Sequence, residues 1–353
     1  MSKIVGKVLF DICSETNSHF EVSSMYDDIQ DVDEKYFPAA IFSGYGIKKG
    51  EFIYDSVKRG IGKSVVILSH VNLLPAGYLI KLLSPSTRLI LFAHGIEVWK
   101  TFTGFEKKMI SKVDTFLAVS QYTAEVIRQN NKLGTSKVKI LNNCLDPFLP
   151  EPVKNGKNKE LLKKYDLSED DTVMLTLTRL AFKERYKGYD RVIQALSELQ
   201  HDFPNLKYLI VGKYDTEEKK RLTVLINDLK LQHKVAFAGY VEDELLADYF
   251  NLADIYIMPS EKEGFGIVFI EALFYGKNVI AGNKDGSVDA LLNGALGKLI
   301  DPSGDEEIKL AITSFLNSET PVVPDRDLMM THFSYPAYKE KWRQILKKLK
   351  VEC

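Results

Sequence analysis

The chain has 353 residues, 45% hydrophobic and 27% charged, and its 47 basic and 48 acidic residues give a formal net charge of −1. That length favours two domains over one, and the charge balance speaks against a dedicated nucleic-acid binder. The three scattered cysteines, Cys13, Cys144 and Cys353, form no CxxC pair, so a reducing cytosol fits; with no signal peptide at MSKIVGKVLF and no run near ~18 apolar residues, the chain is expected to be cytoplasmic, at most resting on a membrane surface.

At the start, Ile4, Val5, Val8, Leu9, Ile12 and Cys13 recur at helical spacing. Residues 3–14 therefore read as a helix and HFEVSSMY (19–26) as the first strand. YDDIQDVDEK reads as a solvated acidic segment, although Asp31-Val32-Asp33 matches a D-x-D metal motif. FSGYGIKKGE (42–51) reads as a flexible loop. Strands follow at 63–70, 87–94, 115–120 and 138–141, with a helix at 122–130 for which Ser120 is the natural N-cap. Residues 146–160, DPFLPEPVKNGKNKE, carry three prolines in a polar stretch and read as a linker. Alternation then resumes: strands at 172–178, 206–212, 234–240, 254–259 and 277–282, and helices at 189–200 and 219–230.

Near-continuous apolar strands alternating with helices predict an α/β protein of two Rossmann-like, doubly wound parallel-sheet domains. The division is read as 1–152 and 153–335, with a final helix, 336–353, packing back on the first domain. That helix is basic and amphipathic: Trp342, Ile345, Leu346 and Leu349 on one side, with Lys341, Arg343, Lys347, Lys348 and Lys350 around it. Its apolar side reads either as a core face or as a contact with anionic lipid.

The richest stretch is SEKEGFGIVFIEALFYGKN (260–278). A loop follows a strand, and a helix starts near Gly266. A helix start presents free amides to an anion, and glycine lets a ligand approach the backbone. A carboxylate there cannot hold phosphate but can accept from hydroxyls. Glu263 and Glu271 thus suit a ligand with a phosphate between two polyols. Upstream, Arg179 and Lys187 follow the strand at 172–178, at the carboxyl edge where such sheets bind ligands. Each residue alone also reads as an ordinary solvated charge. It is their joint placement that points to a site.

In this order, TRL…KGYDRVI, YLIVGK, FAGYV, LADIYIMPSEKEGFGIVFIEAL and GALGKLIDP resemble the glycosyltransferases of the GT-B fold, the large retaining family four (glycosyl transferases group 1). The resemblance runs from about residue 63 to the end. It implies that the two domains face a cleft and that the second binds a nucleotide-sugar donor, UDP- or GDP-linked. Arg179 and Lys187 would neutralise the diphosphate and Glu263 would bind sugar hydroxyls. Phe265, Gly266 and Ile267 would bring amides close, Glu271 would hold the ribose, and Val241 would lie by the base. His94-Gly95, at the end of the strand at 87–94, matches a His-Gly that contacts the donor sugar in this family. On the residues alone, a lone histidine there is more often a structural hydrogen-bonder. His70 and Asn72 end the preceding strand and either line the acceptor side or make a turn. The family opens with a strand and a Gly-Gly loop. No such pair occurs here, so the first strand and Gly-rich loop are expected to be absent.

The implied chemistry is transfer of a hexose-type sugar, with retention, to a glycan or lipid-linked acceptor. Charge building on the leaving diphosphate would be met by Arg179, Lys187 and the helix start, with no cofactor and no metal. A non-catalytic, nucleotide-sugar-binding remnant is the alternative reading. A nucleotide-sugar epimerase or dehydrogenase is a further one, but GYGIKKG has the wrong spacing for its dinucleotide loop.

Overall fold

The computed structural model describes residues 1–152, 156–318 and 324–349. Linker positions 153–155, together with Lys350 and Cys353, lie outside the described residues. The chain divides into two compact units, Met1–Pro147 with the segment from His332 on, and Phe148–Thr331.

The first unit begins with α1 (Ser2–Glu15), β1 (Val22–Ser24), β2 (Phe42–Gly44) and α2 (Lys49–Gly60). It continues with β3 (Val65–Leu68), α3 (Leu74–Leu83), β4 (Arg88–Ala93), α4 (Gly104–Ser111), β5 (Thr115–Ala118), α5 (Gln121–Asn131) and β6 (Val138–Ile140). Strands β3, β4, β5 and β6 form one parallel sheet in that order, and β1 and β2 form a separate parallel pair. Side chains alternate across the pleat. Ile90, Phe92 and Leu117 pack with Ile4, Val8 and Ile12 of α1. Leu89, Leu91 and Phe116 pack on the other face with Tyr78, Met109 and Ile127 of the following helices.

The helix expected at 3–14 is present, and the first strand lies inside 19–26. The segment 42–51 is not the flexible loop its glycines suggest. Phe42–Gly44 pairs residue for residue with Val22–Ser24, and α2 starts at Lys49. Its glycines serve close packing: a Cβ on Gly44 would fall 2.4 Å from the Asp28 backbone, and one on Gly46 2.2 Å from the Asp28 carboxylate. Asp31 and Asp28 cap each other across a 3-10 turn, and Asp33 pairs with Lys35 at 3.3 Å.

The second unit holds α6 (Lys159–Lys164), β7 (Thr172–Leu177), α7 (Tyr189–Leu199), β8 (Leu206–Val211), α8 (Thr216–Asp228) and β9 (Val235–Gly239). Then come α9 (Leu246–Leu252), β10 (Ile255–Met258), α10 (Ile267–Phe274), β11 (Asn278–Gly282), α11 (Ser287–Ala290), β12 (Lys298–Ile300) and α12 (Asp305–Leu316). The linker ends sooner than its composition suggests, because Asn158 caps α6 by accepting from the amides of Glu160 and Leu161. The sheet is parallel throughout, in the order β12-β11-β10-β7-β8-β9. The order reverses between β7 and β10, which makes a topological switch point at their carboxyl ends. One core packs Met174, Tyr208, Ile210 and Ile257 against Ile193 and Leu196 of α7, Leu222 of α8 and Ile312 of α12. On another side of β10, Tyr256 meets Phe269 of α10 edge-on at 5.8 Å.

From α13 (Arg326–Phe333) the chain enters α14 (Tyr335–Lys348), whose Ser334 N-cap accepts from the Ala337 amide. Trp342, Ile345 and Leu346 are buried with α1 and β4 in the first unit. The apolar side of this helix is therefore a core face. Arg343 pairs with Glu15 at 2.7 Å, and Lys341 donates to the His332 carbonyl at 2.8 Å.

Candidate active site

In the second unit, the loops after β7 and β10 meet at the switch point. After β7 the chain runs through Arg179 to a 3-10 turn, Phe182–Lys187, then Gly188 and α7. Gly188 has φ +77°, and a Cβ there would fall 2.5 Å from the Pro259 carbonyl oxygen just past β10. The Glu261 amide donates to the Tyr186 carbonyl at 2.9 Å. Across this seam Lys187 is ion-paired with Glu263, both side chains largely buried. Arg179 is exposed and forks both donors onto Glu184. Tyr186 lies within electrostatic reach of Glu184, Glu263 and Arg179. Burial first, and then the two carboxylates, push its hydroxyl up to about 12.

Glu263 leads into the Gly-Phe-Gly turn. Phe265 is buried and Gly266, with φ +81°, is the N-cap of α10. A Cβ on Gly266 would lie 2.4 Å from the Phe269 ring and 3.1 Å from the Glu263 side chain, so only glycine fits. The half-buried Ile267 opens the helix, whose start carries the positive end of the dipole. Glu271 lies one turn further, half-buried, and its charge helps hold the hydroxyls of Tyr256 and Tyr275 in the protonated form. Val241 lies two residues beyond β9, half-buried, ahead of the 3-10 turn Asp243–Leu245.

In the first unit, His94 and Gly95 follow β4. The His94 ring stacks on Phe92 at 5.5 Å, and Nε2 lies 2.8 Å from the Ser69 carbonyl. A carbonyl only accepts, so Nε2 carries the proton. Burial lowers the His94 pKa; the Ser69 hydrogen bond and Glu97 oppose this, and the charge of nearby His70 adds to it. The imidazole is therefore neutral at neutral pH. Glu97 accepts from the amides of His94 at 2.6 Å and Gly95 at 3.1 Å, fixing the turn. His70 Nδ1 accepts from the Asn72 amide at 3.1 Å and caps the turn Val71–Leu73, with Asn72 exposed. Both histidines thus share the carboxyl edge of β3 and β4. Ser120 caps α5 through the Thr123 amide at 3.1 Å.

Residues 157–331 match the family model described as glycosyl transferases group 1. That match covers almost all of the second unit, which is similar to this family. Mannosylfructose-phosphate synthase of Agrobacterium fabrum is 28% identical over 56% of the chain and 44% of its own length. The GDP-mannose-dependent alpha-(1-6)-phosphatidylinositol monomannoside mannosyltransferase of Mycolicibacterium smegmatis is 31% identical over 65% of the chain and 61% of its own length. The matched stretch thus spans less than two thirds of either relative. Among solved structures, HepE of Anabaena, crystallised with UDP, superposes with a TM-score of 0.81 at 17% identity, covering 99% of this chain and 96% of HepE. A glycosyltransferase from Rickettsia africae gives 0.78 at 21% identity over 98% and 93%. The fold of the chain is the GT-B fold, with two Rossmann-like domains.

Within the second unit, sequence reasoning passed over two residues. Tyr186 lies in the segment read for its cations alone. Asp285 follows β11 in NKDGSVDA, a run that looks like a surface turn. It is 2% exposed, and desolvation raises its pKa to about 6. The one available signal was DGS at a strand's carboxyl end, the edge that carries function in such sheets.

Proposed function

We propose that the chain transfers a hexose-type sugar from a UDP- or GDP-linked donor to a glycan or lipid-linked acceptor, with retention and without metal or cofactor. The observation that carries this reading is the Lys187–Glu263 pair at the switch point, beside the amide-rich start of α10. A diphosphate oxygen competes with Glu263 for Lys187, and another competes with Glu184 for Arg179. Lysine contributes a point charge and arginine a fork. Glu263, released from Lys187, accepts from the donor sugar hydroxyls. Phe265, Gly266 and Ile267 bring backbone amides to the sugar and phosphate. Glu271 takes the ribose hydroxyls and Val241 the base.

In the reaction the bond from the anomeric carbon to the diphosphate oxygen breaks, and a bond to the acceptor oxygen forms on the same face. The acceptor proton passes to the leaving diphosphate. Lys187, Arg179 and the α10 dipole stabilise the charge that develops there. His94, being neutral, contacts the sugar as a hydrogen-bonding group, with Gly95 beside it. His70 and Asn72 face the acceptor.

The names of the relatives support this reading and divide over the base. One acts with GDP-mannose on a phosphatidylinositol mannoside, whereas HepE is crystallised with UDP-glucose. The chain acts in the cytoplasm in this reading. Among the described residues no helix is long and apolar enough to cross a membrane. Membrane contact is peripheral and electrostatic, through exposed Lys347 and Lys348. Calorimetric titration with UDP, GDP and ADP, followed by transfer assays in EDTA with the matching sugars, tests the proposal. Tight binding of one nucleotide with metal-free turnover is expected. Binding without transfer or donor hydrolysis would make the chain a nucleotide-sugar-binding remnant.

A further inference from the structure

The turn after β11 grips the backbone of Glu263 on both sides. Asp285 Oδ2 accepts from the Glu263 amide at 2.6 Å, and Oδ1 accepts from the Ser287 amide at 2.9 Å. Gly286 donates to the Glu263 carbonyl at 2.8 Å. A Cβ on Gly286 would fall 2.0 Å from the Gly264 carbonyl oxygen, so the two loops touch backbone to backbone. The Ser287 contact alone closes the local turn, as aspartate commonly does two residues ahead. The second oxygen is not needed for that turn and reaches another loop.

Burying a carboxylate is unfavourable, and here desolvation raises the pKa to about 6, with the charge of Glu263 adding to the rise. Such a group is poor value as a structural element; a neutral residue would close the turn more cheaply. It does one thing a neutral residue does less well, which is to hold an amide by a short, charge-assisted bond. That amide belongs to the residue whose side chain meets Lys187.

We propose that Asp285 is a positioning residue, which holds the Glu263 backbone so that its carboxylate can exchange between Lys187 and the hydroxyls of the donor sugar. The inference rests on the reading of Glu263 as the sugar-binding carboxylate of a transferase.

Two variants test it. Asp285→Asn keeps the shape but turns an amide donor toward one of the two N–H groups. Asp285→Ser can still close the turn to Ser287 but is too short to reach Glu263. Each is compared with wild type by kcat, donor KM, nucleoside diphosphate affinity, melting temperature and hydrogen exchange at the Glu263 amide. Expected are a kcat at least about tenfold lower, a donor KM within about threefold, unchanged nucleoside diphosphate affinity and faster exchange at Glu263. The melting temperature should stay near that of wild type, since a costly buried charge leaves together with its hydrogen bond. A parallel fall in stability, nucleotide affinity and kcat would mark a merely structural residue and overturn the proposal. If the Asn variant does not fold, the Ser variant decides. Wild-type kcat, or unchanged exchange at Glu263, overturns this inference alone. A wild-type protein that turns over no nucleotide sugar overturns the transferase reading, and this inference with it.

Discussion

Lys187 and Glu263 are only 14% and 18% exposed, so each neutralises the other where water screens weakly. Removing one partner leaves a poorly solvated charge. Lys187→Ala should destabilise the protein by about 1–3 kcal/mol and slow transfer about a hundredfold or more. Glu263→Gln should lose transfer while nucleoside diphosphate still binds, because the carboxylate meets the sugar and not the phosphate. Thermal melts and calorimetry read both outcomes, and wild-type transfer by Glu263→Gln would remove the role assigned to Glu263. Two poorly solvated groups also set opposing pH slopes. His94 has its pKa lowered by burial, so the unfolded chain takes up a proton first as pH falls below about 6.5, and stability falls with it. Asp285 is raised from 3.8 to about 6. Its contribution is full below 3.8 and is lost as pH rises through about 6. Melting temperature against pH should therefore fall more steeply on acidification in Asp285→Asn than in wild type, and less steeply in His94→Gln. Parallel curves for all three proteins would refute both assignments.

At the scale of elements, the loop from β7 to α7 keeps its path because Gly188 turns through the left-handed region against Pro259. Gly188→Ala meets both strain and a carbonyl oxygen. It should destabilise the protein by about 1–3 kcal/mol and displace Lys187, lowering transfer further than stability alone explains. Measuring kcat well below the melting transition separates the two effects. The longer elements were legible because their period is local. The helical repeat of Ile4, Val8 and Ile12 is present in α1, and apolar runs such as RLILFA became β4. The segment 42–51 was not legible. A three-residue strand shows no repeat, and glycines placed for contact with Asp28 look the same in sequence as glycines placed for freedom.

Over the whole molecule, α14 is a component of the first unit's core although it closes the chain. Trp342 is fully buried and lies 5.7 Å from the Phe92 ring, which in turn stacks on His94. Trp342→Ala should destabilise the first unit by about 3–5 kcal/mol. Hydrogen exchange should quicken along β4 and β5; unchanged protection there would show that α14 is dispensable to that core. In the second unit, the strand order puts β7 beside β10, and the candidate site exists because of that adjacency.

The sequence by itself determined the α/β class, the restart of alternation after residue 160, the succession of motifs that carries the family resemblance, and the cluster of charged residues at strand ends. These follow from local periodicity and from which residue types a turn or a helix start accepts. Only the tertiary structure decided which charges are partners. Arg179 turned to Glu184, five positions away, while Lys187 reached Glu263, 76 positions away. Asp285 came to hold the amide of a residue 22 positions earlier. Such pairings depend on which strands lie side by side and on what remains out of reach of water, and neither is written in any one stretch of chain.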